Sequence, residues 1–288
     1  MFSIIIPTFN NLQYLKLCLK SLKKNSNFEH EIIIHVNDGS DGTYDYVSKN
    51  KLIHTYTKEN VGLCTGVNLA SEKASTNYIL YSHDDMYFCP GWDVELSKEI
   101  KILDTNAFYI SGTMIERKSG HIQLDCGSDL TNFDEVKLLN NFSNIEFFNH
   151  QGTTWAPHLI HKDYWEKVGG FSEEFNPGIG SDPDLNMKLW MAGVRIFKGL
   201  NNFRVYHFGS TVLRKKNFKR NKGAKTFLIK WGISHNFFVK HYLRGATFSD
   251  NGLISNKYDG PLKKPNKTII YFLDLLISKI KLIYQKFF

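Results

Sequence analysis

The alternation of β-branched runs with helical periodicity over the first 85 residues constrains the fold of this chain more than any other feature. Leucines recur at helical spacing from Leu12 to Leu22, and Pro7, which lacks an N–H donor, is expected to end the first strand. Repeated β-α-β units of this length predict an α/β protein with a Rossmann-like, doubly wound and mainly parallel sheet. The predicted strands are 3–6, 31–36, 53–57 and 78–82, and the helices between them are 11–24, 43–49 and 66–74.

Polar residues follow three of these strands, as Pro7-Thr8, Asp38-Gly39 and Asp84-Asp85. In a sheet of this kind ligands bind at the carboxyl ends of the strands. Adjacent carboxylates suit Mg²⁺ or Mn²⁺ bridging a diphosphate, although such a dipeptide alone is typically a solvated turn, as is the Asp38 segment. Successive side chains of a strand point to opposite faces, so either the chain bends at the pair or only one carboxylate reaches a metal.

The second half is less regular, with strands predicted at 107–111 and 195–198 and a helix over 182–192. Asp182, at the start of that helix, is interpreted either as a capping residue or as a general base. His207 is interpreted as a structural histidine or as a metal ligand. Trp155 is either a stacking platform for a sugar or part of the core.

The net charge and the cysteine content limit the kinds of partner and the cellular compartment that we expect. The formal charge of +8 favours an anionic partner, and much of the basic excess follows residue 212. Because no zinc-finger, helix-turn-helix or RNA-recognition pattern accompanies it, we expect no nucleic acid partner. The four cysteines form no CxxC pair, and the first apolar run is too short for a signal peptide, which together favour reduced thiols in the cytoplasm.

The final segment, 268–288, is apolar but interrupted by Asp274, Lys279 and Lys281. A membrane-spanning helix tolerates such charges poorly. The pattern favours an amphipathic helix in peripheral contact with the inner face of a membrane. Packing on its own domain and a homo-oligomer contact are the alternatives, and together they are as open as the membrane contact.

Six short segments, taken in order, resemble the inverting glycosyltransferases of family 2, which have the GT-A fold. They are 3–10, 37–42, 60–62, 78–85, 169–171 and 180–185. The resemblance implies a GT-A catalytic domain over 1–210, with a nucleotide-sugar half (1–100) and an acceptor half (101–210). A basic, aromatic-rich extension, 211–288, would follow it and end in the amphipathic helix.

The resemblance also implies roles for individual residues. Asp85 and His207 would bind Mn²⁺ or Mg²⁺, Asp84 would lie near the ribose, and Asp182 would be the catalytic base. The residues implied to hold the nucleobase and ribose are Pro7, Thr8, Asn10, Asp38, Asn60 and Gly62. The chain departs from the family pattern at Ser82, where many members have aspartate, at Val67, where many have arginine, and at Ser181, where glutamate is usual.

These expectations amount to a metal-dependent hexosyl- or N-acetylhexosaminyltransferase. It would move a sugar from a nucleotide diphosphate sugar, a UDP-sugar by resemblance, to a hydroxyl of a glycan, lipid-linked or protein-linked acceptor. The departures from the family pattern leave open a non-catalytic binding protein on a decayed GT-A fold. A sugar nucleotidyltransferase is disfavoured, because residues 7–11 contain neither the glycine nor the basic residue that a phosphate loop needs.

Overall fold

The computed structural model describes residues 1–152, 154–209, 222–249 and 252–287. The strands are β1 (Ser3–Phe9), β2 (Glu31–Asn37), β3 (Ile53–Thr57), β4 (Tyr78–Tyr81), β5 (Met86–Phe88), β6 (Phe108–Glu116), β7 (Ile122–Gln123), β8 (His150–Gln151), β9 (His158–His161), β10 (Ile196–His207), β11 (Thr247–Ser249) and β12 (Gly252–Ile254). The helices are α1 (Leu12–Asn25), α2 (Thr43–Lys49), α3 (Leu63–Ser71), α4 (Trp92–Leu103), α5 (Glu135–Asn141), α6 (Lys162–Val168), α7 (Ser181–Met191), α8 (Gly223–Trp231), α9 (His235–Phe238) and α10 (Ile269–Phe287).

The main sheet has the strand order β3-β2-β1-β4-β9-β6-β10-β5, with β7 beside β6 and β8 beside β10. Strands β1 to β4 are parallel to one another, as are β6 and β10, whereas β9 lies antiparallel between β4 and β6. The predicted mainly parallel α/β sheet is therefore confirmed. The inverted β9 joins the two parallel parts into one sheet.

Strand β1 continues through Pro7 to Phe9, so the prediction that this proline ends the strand was wrong. The N–H of Ser82 donates to the Ile5 carbonyl, which places the polar backbone groups of Ile5 on the β4 side. Pro7, two residues further on, faces the same side, where the β4 pairing has already stopped at Ile5. The N–H that Pro7 lacks is therefore not required by the sheet.

One helix and one strand have bounds that differ from the predicted ones, because residues distant in sequence extend them. Helix α3 begins at Leu63 rather than at residue 66, since Asn176 Oδ1 accepts from the Cys64 N–H and supplies the first turn with a partner. Strand β10 is much longer than 195–198 because it pairs with β6 along both sides of a bulge between Leu200 and Arg204.

The C-terminal extension packs on the same core as the sheet. Buried side chains of α8 and α9, among them Phe227 and Phe238, belong to the hydrophobic cluster that also contains the sheet residues Ile5 and Phe197. In α10 only one side faces the protein, with Tyr271 and Ser278 buried. Among the described residues, no helix is both long and apolar enough to cross a membrane.

Candidate active site

A cavity of about 530 Å³ lies at the carboxyl ends of the parallel strands. The ends of β1, β2 and β4 form one wall, and the segment that leads into α7 forms the other. The residues that line it are Pro7, Thr8, Phe9, Asn37, Asn60, Gly62, Leu63, Tyr81, His83, Asp84, Asp85, Glu116, Ser119, Pro177, Gly178, Ile179, Ser181, Asp182, His207 and Gly209.

One side of the cavity, called the nucleotide side after the role expected for Asp84, is held by neutral hydrogen-bond donors around Asp84. The Thr8 hydroxyl donates to Asp84 Oδ2 at 2.6 Å, and Asn11 Nδ2 donates to Asp84 Oδ1 at 3.0 Å. Burial, and next the charge of Asp85, raise the pKa of Asp84 above its ordinary value. Both carboxylate oxygens of Asp84 are thus fixed in place by β1 and by the residue that precedes α1.

Asn60 and Gly62 line the nucleotide side further along. Asn60 Oδ1 accepts from the Gly62 N–H at 2.9 Å, and Asn37 Oδ1 accepts from the Val61 N–H at 3.0 Å. Gly62 has φ +88°, and a Cβ there would lie 2.4 Å from Asn176 Oδ1. Only glycine therefore fits at this point, where the loop meets the segment before α7.

Asn10 and Asp38 lie next to the cavity but are not among its lining residues. Asn10 Nδ2 donates to Asp38 Oδ2 at 2.8 Å, and the Ser40 N–H donates to Asp38 Oδ1 at 3.1 Å. Both residues have positive φ, 47° and 64°. This pair ties the end of β1 to the end of β2.

The other side of the cavity, the metal side, contains His83, Asp85 and His207. The chain bends between β4 and β5, so Asp84 and Asp85 both reach the cavity with different partners. His83 Nδ1 lies 3.9 Å and His207 Nε2 lies 3.4 Å from Asp85 Oδ1. One ligand atom from each of the three residues lies within 4.8 Å of the others, as in a site for one metal ion.

Glu116 holds His207 in position. His207 Nδ1 lies 2.6 Å from Glu116 Oε1, while His207 Nε2 is buried and has no hydrogen-bond partner among the described residues. Burial opposes the charged form of His207, but Asp85 and Glu116 outweigh it and raise its pKa to about 10. Burial lowers the pKa of His83 to about 4.

This donor set fits a divalent cation. A carboxylate and two imidazoles converge on one point, and the second ring nitrogen of His207 is held by a carboxylate, as is usual for metal-bound histidines. Two nitrogen ligands suit a transition metal such as Mn²⁺ better than Mg²⁺, which prefers oxygen.

Asp182 lies in the first turn of α7, where Gly180 rather than an aspartate is the N-cap. Asp182 Oδ1 is buried with no hydrogen-bond partner among the described residues, which argues against a capping role for that oxygen. Burial raises the pKa of Asp182 to about 7. Asp184 differs, since Ser172 Oγ and Trp231 Nε1 donate to it at 2.6 and 2.8 Å.

A second cavity of about 250 Å³ adjoins the first and shares His83, Glu116, Asp182 and His207 with it. Trp155, which is only partly buried, forms part of its wall together with Met114 and Ala156. The metal side and Asp182 therefore lie where the two cavities meet.

The sequence prediction did not include His83 or Glu116. His83 had a usable signal, since it directly precedes the aspartate pair, whereas Glu116 ends a buried strand and carries no local signal. Ser82 is fully buried, with Oγ 3.2 Å from the His83 carbonyl, and Val67 is buried in α3. Among the described lining residues none is Lys or Arg, and the basic run 214–220 lies outside the described residues.

Comparison with known sequences identifies the family. Residues 3–164 match the family described as Glycosyl transferase family 2. The chain belongs to glycosyltransferase family 2. This confirms the family suggested by the six ordered segments.

A hyaluronan synthase and a chondroitin synthase are among the relatives of this family 2 chain. The hyaluronan synthase of Pasteurella multocida is 25% identical over 226 residues, which are 76% of this chain and 22% of that enzyme. The chondroitin synthase of Escherichia coli is 24% identical over 242 residues, which are 71% of this chain and 34% of that enzyme. The chain thus spans about a fifth to a third of the length of these two relatives.

Solved structures confirm the GT-A fold of this family 2 chain. S. aureus TarS in complex with UDP-GlcNAc superposes with a TM-score of 0.54 at 18% identity, over 73% of this chain and 61% of that one. GalNAc-T7 with UDP, GalNAc and Mn²⁺ gives a TM-score of 0.58 at 13% identity, over 84% of this chain and 50% of that one.

Proposed function

We propose that this protein transfers a sugar from a nucleotide diphosphate sugar to a hydroxyl acceptor, with inversion at the anomeric carbon. One observation carries the proposal: an ionisable carboxylate, Asp182, and a cluster suited to a divalent metal lie together where two cavities meet. A binding protein needs no such carboxylate at that point.

The larger cavity is proposed to hold the nucleotide of the donor. Its nucleotide side offers the Asp84 carboxylate to the ribose hydroxyls, and Pro7, Thr8, Asn60 and Gly62 form the wall around it. Asn10 and Asp38 are proposed to support this wall from the side, and Asp38 to reach the base. UDP is the favoured nucleotide, in line with the UDP complexes of TarS and GalNAc-T7.

His83, Asp85 and His207 would hold Mn²⁺ or another divalent ion, with Mn²⁺ favoured by the two imidazoles. The ion would supply charge neutralisation for the departing diphosphate. The charge of Glu116 fixes the His207 ring so that Nε2 faces the site. No described cationic lysine or arginine lines the cavity, so this cluster has the main electrostatic role there.

Asp182 is proposed as the catalytic base. An inverting transfer requires removal of the acceptor proton as its oxygen attacks the anomeric carbon. A carboxylate with a pKa of about 7 is a stronger base than an exposed aspartate, and it is still largely ionised slightly above neutral pH. The proton passes to Asp182 Oδ1, the buried oxygen without a partner among the described residues.

The smaller cavity is proposed to receive the transferred sugar and the acceptor, with Trp155 as a stacking surface. The donor sugar is proposed to be a hexose or an N-acetylhexosamine, and the acceptor a glycan, free or linked to lipid or protein. We place the reaction in the cytoplasm, with peripheral contact of residues 268–288 at the inner face of the membrane.

The decisive experiment measures UDP-sugar hydrolysis without acceptor, with Mn²⁺ or with chelator. Nucleotide sugars are first ranked by the increase in melting temperature that each gives with Mn²⁺, since a ligand of the folded state stabilises it. We expect slow, Mn²⁺-dependent hydrolysis of the best binder, lost in Asp85→Asn. Binding without any hydrolysis or transfer would instead favour the non-catalytic binding protein.

A further inference from the structure

The outward surface of α10 is the largest concentration of exposed apolar side chains in the described structure. Nine of the twenty large apolar side chains that are exposed among the described residues lie on this one helix. They are Ile269, Ile270, Phe272, Leu273, Leu276, Ile277, Ile280, Ile283 and Tyr284, each at least 50% exposed. Soluble surfaces rarely leave such a patch uncovered, so it needs a partner.

The opposite surface of α10 is firmly docked on the protein. The tilted rings of Tyr271 and Phe237 are in contact, with centroids 5.0 Å apart, and Ser278 Oγ lies 3.0 Å from Ser234 Oγ. Asp274 accepts from Lys240 Nζ at 2.7 Å. The helix is therefore held against α9 and the residues on either side of it, and its outward orientation follows from these contacts.

Two lysines border the apolar surface. At 3.6 residues per turn the exposed apolar residues cover an arc of roughly 160°, and Lys279 and Lys281 fall on its opposite edges. We call this the lysine-bordered arc. Asp274, the one acid in the sequence of the helix, lies on the docked side.

The basic residues of the chain are concentrated in the same region as the lysine-bordered arc. Residues 211–288 contain 17 Lys and Arg against 3 Asp, whereas residues 1–210 contain 19 Lys and Arg against 25 Asp and Glu. Lys263, Lys264 and Lys267, all exposed, immediately precede α10. The cationic excess is therefore concentrated in the region that includes the apolar surface.

We propose that the lysine-bordered arc of α10 inserts into the surface of an anionic lipid bilayer, with the helix lying in the plane of the membrane. Apolar side chains enter the acyl boundary in such helices, and lysines at the edges reach the phosphates. A second copy of this chain is a poorer occupant. A two-fold contact through the arc would bring the lysines of both copies together with no acid on the arc to pair with them.

This inference makes specific the peripheral contact proposed with the transferase function, and its test is independent of the reaction. The full chain is floated with vesicles of phosphatidylcholine alone or with about one third phosphatidylglycerol, without donor or acceptor. We expect binding to the anionic vesicles that weakens at high salt. No binding to them at low salt would overturn the proposal and leave the transferase assignment unaffected.

A matched pair of triple variants tests the surface itself. Leu273→Ser, Leu276→Ser and Ile280→Ser together should weaken vesicle binding at least tenfold, whereas Ile102→Ser, Val136→Ser and Met191→Ser, all exposed elsewhere, should not. Equal binding by the two triple variants would contradict the proposal. If the wild type sediments as a dimer without lipid and the α10 variant as a monomer, the arc is a self-contact and the proposal fails.

Insertion can also be measured without disrupting the arc. The four native cysteines are buried, so a fluorophore sensitive to polarity would label Ile277→Cys on α10 or, as control, Met191→Cys. A blue shift on anionic vesicles is expected at position 277 alone. Absence of a shift at 277, or an equal shift at 191, would count against insertion.

Discussion

The two sides of the cavity are built from different kinds of contact. On the nucleotide side, Asp84 is held by the uncharged donors Thr8, at the end of β1, and Asn11, just after it. On the metal side, Asp85 faces two histidines, and a third carboxylate, Glu116, holds one of them. One side is thus a set of directional hydrogen bonds, and the other is a cluster of charges.

This difference assigns separate roles to two adjacent aspartates. A carboxylate whose two oxygens are already bonded by the protein is positioned to orient a neutral ligand group. A carboxylate beside a histidine nitrogen that has no hydrogen-bond partner in the described part of the chain is positioned to bind a cation. Substitutions on the two sides should therefore affect different steps. Asp182, which belongs to neither side, should show the largest effect.

Asp182→Asn should have the largest effect on catalysis, because it removes the proposed base and keeps the size of the side chain. We expect kcat to fall by about 10²–10⁴-fold, the usual contribution of a general base. In the wild type, kcat/KM should decrease as the pH falls below about 7, since the raised pKa of Asp182 leaves it protonated there. Initial rates with the best donor across pH measure both quantities.

The control for this variant is Asp184→Asn, two residues further along α7. Asp184 accepts from Ser172 and Trp231 and does not line either cavity, so its loss should lower stability rather than change the acid limb of the profile. Near-normal kcat in Asp182→Asn would remove this residue from the proposed mechanism.

Asp85→Asn and Asp84→Asn form the next comparison, as the same chemical change at neighbouring positions. Asp85→Asn should lower kcat/KM by about 10²–10³-fold, comparable to losing one electrostatic contact in the transition state. Asp84→Asn should mainly raise KM for the donor, by about tenfold, the size of one charge-assisted hydrogen bond. Steady-state kinetics at several Mn²⁺ concentrations separate the two effects.

Excess Mn²⁺ should partly rescue Asp85→Asn and leave Asp84→Asn unchanged. If both variants responded to Mn²⁺ alike, the two aspartates would share the metal, and the division between the two sides of the cavity would be wrong.

Glu116→Gln should produce a smaller change confined to the metal side. The amide can still accept from His207 Nδ1 but no longer carries the charge that orients the ring as a ligand. Loss of such a supporting carboxylate usually weakens metal affinity by about 10–100-fold. Mn²⁺ titration of activity measures it, and Asp125→Asn, an exposed acid paired with Arg117, is the control. UDP affinity unchanged in the variant would confine the effect to the metal.

The nucleotide side was largely predictable from sequence because its residues follow strands with strong local signals. Helix α2 and strand β3 have the predicted bounds, 43–49 and 53–57, since each combines a clear period with flanking turn residues. Thr8, Asn60, Gly62 and the aspartate pair reach the cavity because parallel strands end at one edge.

The metal side was only partly predictable because its members come from distant elements. Glu116 and His207 are 91 residues apart and meet where β6 and β10 end side by side. The predicted strand at 107–111 stopped short of Glu116, since Gly112 interrupts the apolar run. A Cβ at Gly112 would lie only 3.0 Å from the Phe203 carbonyl oxygen, so the backbone there packs closely against β10.

The smallest expected effect is that of Asp182→Asn on the stability of the fold. It distinguishes Asp182, whose ionised form is disfavoured by burial, from the charged cluster of the metal side. Its folded-state pKa of about 7 is raised from 3.8, so folding favours the protonated form, and that contribution to stability is lost as the pH rises from about 4 through 7. Asp182→Asn should therefore melt higher than the wild type at pH 8 and at about the same temperature at pH 4. Each kcal/mol that the variant gains corresponds to roughly 2–4 °C for a chain of this size. An equal melting temperature at pH 8 would mean that burial does not disfavour the ionised carboxylate. The raised pKa that makes Asp182 a suitable base would then have no physical cause.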